Sequence, residues 1–184
     1  MIQEGSPMKN EILILQAEKE MLKELQKISI ETFVETFGEY NSEEDMNSYI
    51  KEDLSLESLR KEIETRGSVF FLAYREGKVC GYIKINFNKA QSEEGNKKTA
   101  ELQRIYIKEE FQGMKIGQKL LDFAIERAKN NNLKKLWLGV WEHNHKAIRF
   151  YEKNKFKKFS EHSFVLGEDV QLDYLYERDL LENV

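Results

Sequence analysis

The chain contains very little cysteine and proline. Cys80 is the only cysteine among 184 residues, and Pro7 is the only proline. A single cysteine excludes an intrachain disulfide framework and a zinc cluster built from several cysteines. The absence of disulfides is typical of proteins in a reducing compartment, so we expect a cytoplasmic protein in which Cys80 is a small buried hydrophobic residue.

The sequence also lacks a basic excess and a long hydrophobic run. Its 29 lysines and arginines are outnumbered by 33 aspartates and glutamates, which gives a formal net charge of -4. That balance argues against a protein that binds nucleic acid through a basic face. No apolar run approaches the roughly 20 residues of a membrane helix. Glu11, Glu18 and Glu20 interrupt the short apolar run near the N-terminus, which is unlike a signal peptide. We therefore expect neither a nucleic-acid partner nor a membrane partner.

Along the chain, segments with the hydrophobic spacing of helices alternate with segments that have the spacing of strands. The length is sufficient for one domain with a sizeable core. Helices are predicted near 22–38, from Asn41 or Ser42 through Ile50, and near 56–65, 117–131 and 143–155, and strands near 11–16, 69–74, 79–87, 101–107, 135–141, 157–166 and 170–178. A helix joins strands 101–107 and 135–141, so we expect these two to be parallel. The pattern predicts a flexible segment 1–8 followed by a single α/β domain over 9–184, with a mixed central sheet of about seven strands flanked by helices.

Residues 111–118 carry two glycines between a predicted strand and a predicted helix. Such a loop can aim unpaired backbone N–H groups at one point, where the helix dipole adds partial positive charge. This arrangement predicts a phosphate or pyrophosphate site. A Walker A loop needs four residues between its glycines, whereas three separate Gly113 from Gly117. A dinucleotide fingerprint needs G-x-G-x-x-G after the first strand, and this loop comes late in the chain. Both of those alternatives are excluded.

The loop resembles the Gln/Arg-x-x-Gly-x-Gly/Ala pyrophosphate loop of the GNAT family of acetyl-CoA-dependent N-acetyltransferases. Gln112 takes the first place of the motif and Gly117 the last, while Lys115 stands where the motif has its other glycine. Residues 144–156 resemble the second CoA-contacting segment of that family, in the same order and at the same spacing. The resemblance covers roughly residues 99–158. It implies a GNAT-like domain that binds acetyl-CoA as a co-substrate at the loop after the central strand.

The resemblance also implies individual contacts to CoA. In the family, the strand before the loop pairs through its backbone with the pantetheine arm, and an N–H near Ile107 would polarise the thioester carbonyl. The residues expected to bind CoA are Ile105, Tyr106, Ile107, Gln112, Gly113, Met114, Lys115, Ile116, Gly117, Gln118, Asn144 and Lys153. The alternative to CoA binding is that Asn144 is only a helix N-cap and that Lys153 is only a solvated surface lysine. A positive φ at position 115 would cost its lysine roughly 1 kcal/mol.

Family chemistry is direct transfer, in which a bound amine attacks the thioester carbonyl and the CoA thiolate leaves. Tyr151 is the expected general acid, because a phenol of pKa about 10 is protonated at neutral pH and can protonate a thiolate of pKa about 8–9. The alternative is a core tyrosine on an amphipathic helix. Glu101 is the expected base, and its alternative is a solvated charge at a strand end. His143 and His145 beside Glu142 are too few ligands for a metal site, so no metal is expected.

The acceptor is less directly indicated. Segments 29–33, 90–94, 104–108, 138–142 and 162–164 resemble the polyamine-acetylating members of the family, which implies spermidine or spermine as the small-molecule amine substrate. Glu31 and Glu35 belong to an acidic helical segment that would suit a polycation, although they are equally typical of a charged outer helix face. Acetylation of protein or peptide N-termini and a CoA-binding regulatory module with little activity remain open. The resemblance also suggests a homodimer that pairs edge strands between subunits.

Overall fold

The computed structural model describes residues 11–93, 98–166 and 169–181. The segment 1–8, which was expected to be flexible, lies outside these ranges. The elements are β1 Ile12–Gln16, α1 Leu22–Phe37, α2 Glu43–Glu52, α3 Leu56–Glu64, β2 Ser68–Arg75, β3 Lys78–Phe87, β4 Thr99–Ile107, α4 Ile116–Asn130, β5 Lys135–Trp141, α5 His145–Lys153, β6 Lys157–Leu166 and β7 Asp169–Asp179. The prediction of one α/β fold with a mixed seven-stranded sheet is confirmed.

The sheet has the order β1-β2-β3-β4-β5-β7-β6, with β1 and β6 at its edges. The expected homodimer through these edges stays a prediction. β4 and β5 are parallel, as predicted, but they pair only from Thr99 opposite Lys135 to Glu101 opposite Trp137. Beyond Glu101 the two strands separate, and β4 continues to Ile107 without a neighbour on that side. A cleft therefore opens in the middle of the sheet, and it exposes the backbone edge of β4.

A β-bulge in β4 sets which side chains face each side of the sheet. The register between β3 and β4 shifts by one residue at Gln103. Such a shift reverses the alternation of side chains downstream of it. Glu101 is opposite Asn86 and Tyr106 is opposite Tyr82, so both consequently point to the face covered by α1 and α3, whereas Ile105 and Ile107 pack on the opposite face against α4. The bulge therefore places the Glu101 carboxylate on one face of β4 and the apolar side chains of Ile105 and Ile107 on the other.

The two faces of the sheet carry separate apolar cores. On one face, α1 and α3 contribute Leu25, Ile28 and Leu59 against Phe70, Leu72 and Tyr82. On the other face, the apolar stripe predicted for α4 is buried against the central strands; its members are Ile116, Leu120, Leu121, Ala124, Ile125 and Ala128. The cleft between β4 and β5 therefore has helices on both of its sides.

Candidate active site

One cavity of about 900 Å³ occupies the cleft between β4 and β5. That volume lies within the range of small-molecule and cofactor sites. The cavity has two parts. The loop arm lies beside the start of α4 and the side of α5, and it is lined by Gln112, Gly113, Lys115, Gly117, Asn144, Lys146, Tyr151 and Lys153. The α1 arm lies on the opposite face of the sheet, and it is lined by Phe33, Phe37, Ser92, Glu93, Glu101, Trp141, His162 and Asp173.

The loop arm presents a continuous series of unpaired backbone donors. The N–H groups of residues 113–118 donate to no acceptor within the described parts of the chain. Gly113 and Lys115 have φ values of 78° and 61°, so the chain turns twice through the left-handed region before α4 begins. Successive N–H groups in such a turn, followed by a helix N-terminus, form an anion-binding concavity. This geometry fits the pyrophosphate contacts predicted for the loop.

Lys115 occupies the N-cap position of α4 with φ 61° and ψ 14°, and its side chain makes no capping hydrogen bond. The strain expected at the position of the motif glycine is therefore present in the backbone. Left-handed geometry costs an L-residue roughly 1–2 kcal/mol. The exposed side chain of Lys115 lines the loop arm, where its charge can meet a phosphate.

Lys115→Gly is expected to stabilise the protein by about 1 kcal/mol, or roughly 2–4 °C in Tm, because glycine adopts the left-handed region without penalty. Thermal unfolding of the purified variant measures this change. Lys119→Gly is the matched control, since Lys119 is an exposed lysine in the first turns of the same helix. A glycine there should lower stability by about 1 kcal/mol. A fall in Tm for both variants would contradict the strain at position 115.

Gln112 connects the end of β4 to α5. Its Nε2 donates to the Ile107 carbonyl at 3.2 Å, and its Oε1 accepts from Lys146 Nζ at 2.6 Å. The side chain of Gln112 thus positions the loop, while Lys146 brings a cation that the sequence motif did not identify. Met114 contacts Arg75 and does not line this cavity, so only the backbone of Met114 belongs to the predicted site.

The last two predicted contacts on the helical side are Gln118 and Lys153. The Gln118 amide is bonded to Asn154 at 2.7 Å and to Asp122 at 2.9 Å, which fixes α4 against the end of α5. Lys153 is exposed and lines the loop arm. With Lys115 and Lys146 it places three lysines around the unpaired N–H groups.

Asn144 caps the start of α5, Tyr151 lies on α5, and both line the cavity. Asn144 Oδ1 accepts from the Ala147 N–H at 3.1 Å, so its N-cap role is confirmed, and its amide N–H₂ group stays available to a ligand. Tyr151 is buried, with its ring packed edge-on against Phe150 and Phe156. Burial raises the pKa of Tyr151, which keeps its hydroxyl protonated at neutral pH. The roles of both residues toward CoA stay predictions.

Glu101 is buried, with 3% of its surface exposed. Its Oε1 accepts from Ser92 Oγ at 2.5 Å, and its Oε2 accepts from the Ser92 N–H at 2.8 Å and from Asn86 Nδ2 at 3.0 Å. The alternative of a solvated strand-end charge is therefore wrong, because the connection after β3 folds back over the carboxylate. Three donors fix this carboxylate in the wall of the α1 arm, which is compatible with the predicted base.

Two further charged groups of the α1 arm were not identified from the sequence. Glu93 Oε1 lies 2.5 Å from His162 Nδ1, a contact that joins the connection after β3 to β6. Asp173 of β7 also faces the arm, and burial raises the pKa of its carboxyl. These residues lie far apart in the chain, and no local motif links them.

Aromatic rings form the α1 side of the same arm. Phe33 stacks on Tyr49 with ring centroids 4.4 Å apart. The Trp141 ring centroid lies 6.3 Å from that of Phe37 and 5.2 Å from that of Tyr40. Carboxylates beside aromatic rings make an environment that favours an organic cation.

His143 and His145 lie next to each other at the start of α5. The ring centroids of His143 and His145 are 6.5 Å apart, and His143 Nε2 lies 3.7 Å from Glu142 Oε1. Within 11–93, 98–166 and 169–181, no three histidine, cysteine, aspartate or glutamate residues are placed to hold a metal ion. None of the described helices is long and apolar enough to cross a membrane.

Known proteins resemble this chain in both sequence and fold. The model of the acetyltransferase (GNAT) family matches residues 22–156. An uncharacterized N-acetyltransferase of Lactobacillus delbrueckii subsp. lactis is 41% identical over 170 residues, which is 92% of this chain and 98% of that protein. The spermidine N(1)-acetyltransferase of Thermoplasma acidophilum is 33% identical over 144 residues, covering 75% of this chain and 83% of that protein.

A solved structure extends the comparison to a ligand complex. The PaiA N-acetyltransferase from Thermoplasma acidophilum, crystallised with coenzyme A, matches with a TM-score of 0.75 at 28% identity, over 92% of this chain and 99% of that one. The resemblance that rested on residues 112–117 and 144–156 is thereby confirmed, together with the use of acetyl-CoA. The chain belongs to the GNAT family of acetyltransferases and is an acetyl-CoA-dependent N-acetyltransferase.

Proposed function

We propose that the enzyme transfers the acetyl group of acetyl-CoA to a primary amine of a polyamine such as spermidine or spermine. The observation that carries this acceptor is the α1 arm, in which Glu93, Glu101 and Asp173 face a cavity walled by aromatic rings. Multiple carboxylates attract a polycation and orient it. The name of the spermidine N(1)-acetyltransferase from Thermoplasma acidophilum supports the same acceptor class.

We assign each part of the two substrates to a part of the cavity. The pyrophosphate of acetyl-CoA binds the unpaired N–H groups of residues 113–118, with Lys146 nearby. The pantetheine arm lies along the free edge of β4, so the thioester comes to rest near Ile107. The acceptor enters from the α1 arm on the other face. Holding both reactants in one cavity converts the bimolecular reaction into an intramolecular one.

Direct transfer then needs three proton movements. The ammonium of the acceptor, with a pKa of about 10, must lose a proton before its nitrogen can attack the thioester carbon. Glu101 receives that proton, directly or through water. The tetrahedral intermediate collapses with cleavage of the C–S bond, and Tyr151 protonates the departing thiolate. The nitrogen, which carries a positive charge after attack, loses its second proton to the Tyr151 phenolate, directly or through water, so that a neutral amide is released and the phenol is restored. The two side chains lie on opposite faces of the cleft, as attack from one side and departure on the other require.

Purified enzyme mixed with acetyl-CoA and spermidine or spermine is expected to release free CoA thiol, which a thiol reagent detects. A panel of monoamines, amino acids and peptides with free N-termini, tested under the same conditions, should give lower kcat/KM values. A preference for peptides would replace the polyamine acceptor by protein N-termini. CoA binding without turnover of any amine would indicate a regulatory module.

A further inference from the structure

Asp173 on β7 lines the α1 arm. In the register of the sheet it is directly opposite Trp141 on β5 and directly opposite His162 on β6. Directly opposed residues of antiparallel strands point to the same face, so all three side chains project toward the arm. Asp173 Oδ2 lies 3.6 Å from the position that a Cβ on Gly139 would occupy. The carboxylate therefore leans over the part of β5 that borders the cleft.

The Asp173 carboxylate makes no hydrogen bond and no ion pair with any part of the chain that the structure describes. Its neighbour His162 acts on Asp173 only at longer range, where it lowers the pKa of Asp173 against the larger effect of burial, while the Nδ1 of His162 contacts Glu93. Glu101, in contrast, accepts three hydrogen bonds from protein donors. A carboxylate that is partly withdrawn from water and has no protein partner is destabilising. Such a group is typical of a binding site in which the ligand supplies the opposite charge.

The side chains around Asp173 favour an organic cation as the ligand of its carboxylate. The Trp141 ring shares its face of the sheet, and Phe37 and Tyr40 pack around that ring. A carboxylate next to an indole ring binds ammonium groups, through a charge-assisted hydrogen bond and a cation–π contact. His162 is the nearest basic side chain in the register, and its partner Glu93 adds another negative charge beside Asp173.

The position of Asp173 relative to Glu101 gives the spacing of the two acidic groups. Glu101 is paired with Trp137, and the Asp173 carboxylate lies over Gly139, two residues further along β5 and one strand across. With strands about 4.8 Å apart and a rise of about 3.3 Å per residue, the two groups are separated by roughly 8 Å. A charge-assisted hydrogen bond of about 2.8 Å at each end allows the two terminal ammonium groups of an extended aliphatic triamine to reach both carboxylates.

We infer that Asp173 binds a second ammonium group of the acceptor, remote from the nitrogen that is acetylated, and thereby selects acceptors that carry more than one amine. This role rests on the proposed polyamine acetylation. Glu101 serves the reacting nitrogen, Asp173 serves the distal one, and the aliphatic chain between them lies along the face of β5 at Gly139. An acceptor with a single amine lacks the group that Asp173 binds.

The test compares Asp173→Asn with wild type on spermidine and on butylamine. For spermidine the variant should raise KM about tenfold or more, because a charge-assisted hydrogen bond is lost, and should leave kcat within about twofold. For butylamine kcat/KM should not change. Asp173→Glu should recover part of the spermidine affinity. Asp179→Asn is the matched control, since Asp179 is an exposed residue of the same strand near Lys135. That control should resemble wild type with both amines.

Thermal unfolding at neutral pH separates ligand binding from a structural role. Burial raises the pKa of Asp173 in the folded protein, so the ionised carboxylate opposes folding at pH values above that pKa. Asp173→Asn should therefore keep or raise Tm, whereas loss of a structural contact would lower it.

Three outcomes decide the inference. An increase in KM confined to spermidine supports it. An equal loss with spermidine and butylamine, or no loss with either, overturns it while leaving polyamine acetylation intact. If the wild-type enzyme acetylates no polyamine, the proposed function fails and the role of Asp173 fails with it.

Discussion

Tyr151→Phe lowers kcat by about 10²–10³-fold, because the variant loses the group that protonates the departing CoA thiolate. The phenol lies in the cavity on the α5 side of the cleft. Phenylalanine keeps the ring and therefore keeps its packing against Phe150 and Phe156. The dissociation constant for acetyl-CoA, measured by titration calorimetry, should consequently stay close to the wild-type value.

A second tyrosine provides the control for this substitution. The Tyr174 hydroxyl lies 3.5 Å from Glu142 Oε2 and does not line the cavity, so Tyr174→Phe should leave kcat nearly unchanged. An unaltered kcat in Tyr151→Phe would remove Tyr151 from the acid role. A matching loss of acetyl-CoA affinity would instead assign the hydroxyl to binding.

The environment of Tyr151 also determines the alkaline side of its pH profile. Burial raises its pKa above the ordinary value of about 10, and an acid stays active below its pKa. The kcat of the wild-type enzyme should therefore show no alkaline decline below about pH 10 from loss of this proton. A decline near neutral pH would require a different proton donor.

The loop arm could be predicted from the sequence because its functional groups are contiguous. Unpaired N–H donors belong to the backbone, so the glycine spacing from Gly113 to Gly117 and the start of the next helix were sufficient to locate them. The same contiguity placed Asn144 at the start of α5 and Tyr151 within that helix, and both line the cavity. Even the strain at Lys115 followed from its place in the motif.

The α1 arm could not be predicted in the same way. Its charged groups come from separate connections and strands, and the register of β6, β7 and β5 brings Asp173 next to Trp141 and His162. Such pairings are not encoded by local periodicity. The bulge at Gln103 also breaks the simple alternation along β4. Glu101 was identified, but its burial depends on Ser92, which is nine positions earlier in the chain.

Glu101→Gln is expected to lower kcat/KM for spermidine by about 10²-fold at neutral pH, because an amide cannot accept the proton of the ammonium group. Glutamine can keep the three hydrogen bonds that Glu101 makes in the folded protein. The glutamine oxygen can accept from the Ser92 N–H and from Asn86, and its N–H₂ group can donate to Ser92 Oγ, which rotates to accept. Thermal unfolding should therefore show only a small change, and steady-state kinetics should report the lost base.

The pH dependence of this variant separates a base from a positioning residue. Without a protein base, the reaction depends on acceptor that has already lost its proton, and that fraction increases tenfold per pH unit up to the amine pKa of about 10. The deficit of Glu101→Gln relative to wild type should therefore shrink steadily between neutral and alkaline pH. Ser92→Ala is the control, because it removes one donor to Glu101 and leaves the carboxylate in place. A deficit that stays constant with pH would contradict proton transfer to Glu101 and would leave it the role of holding the connection after β3 over the α1 arm.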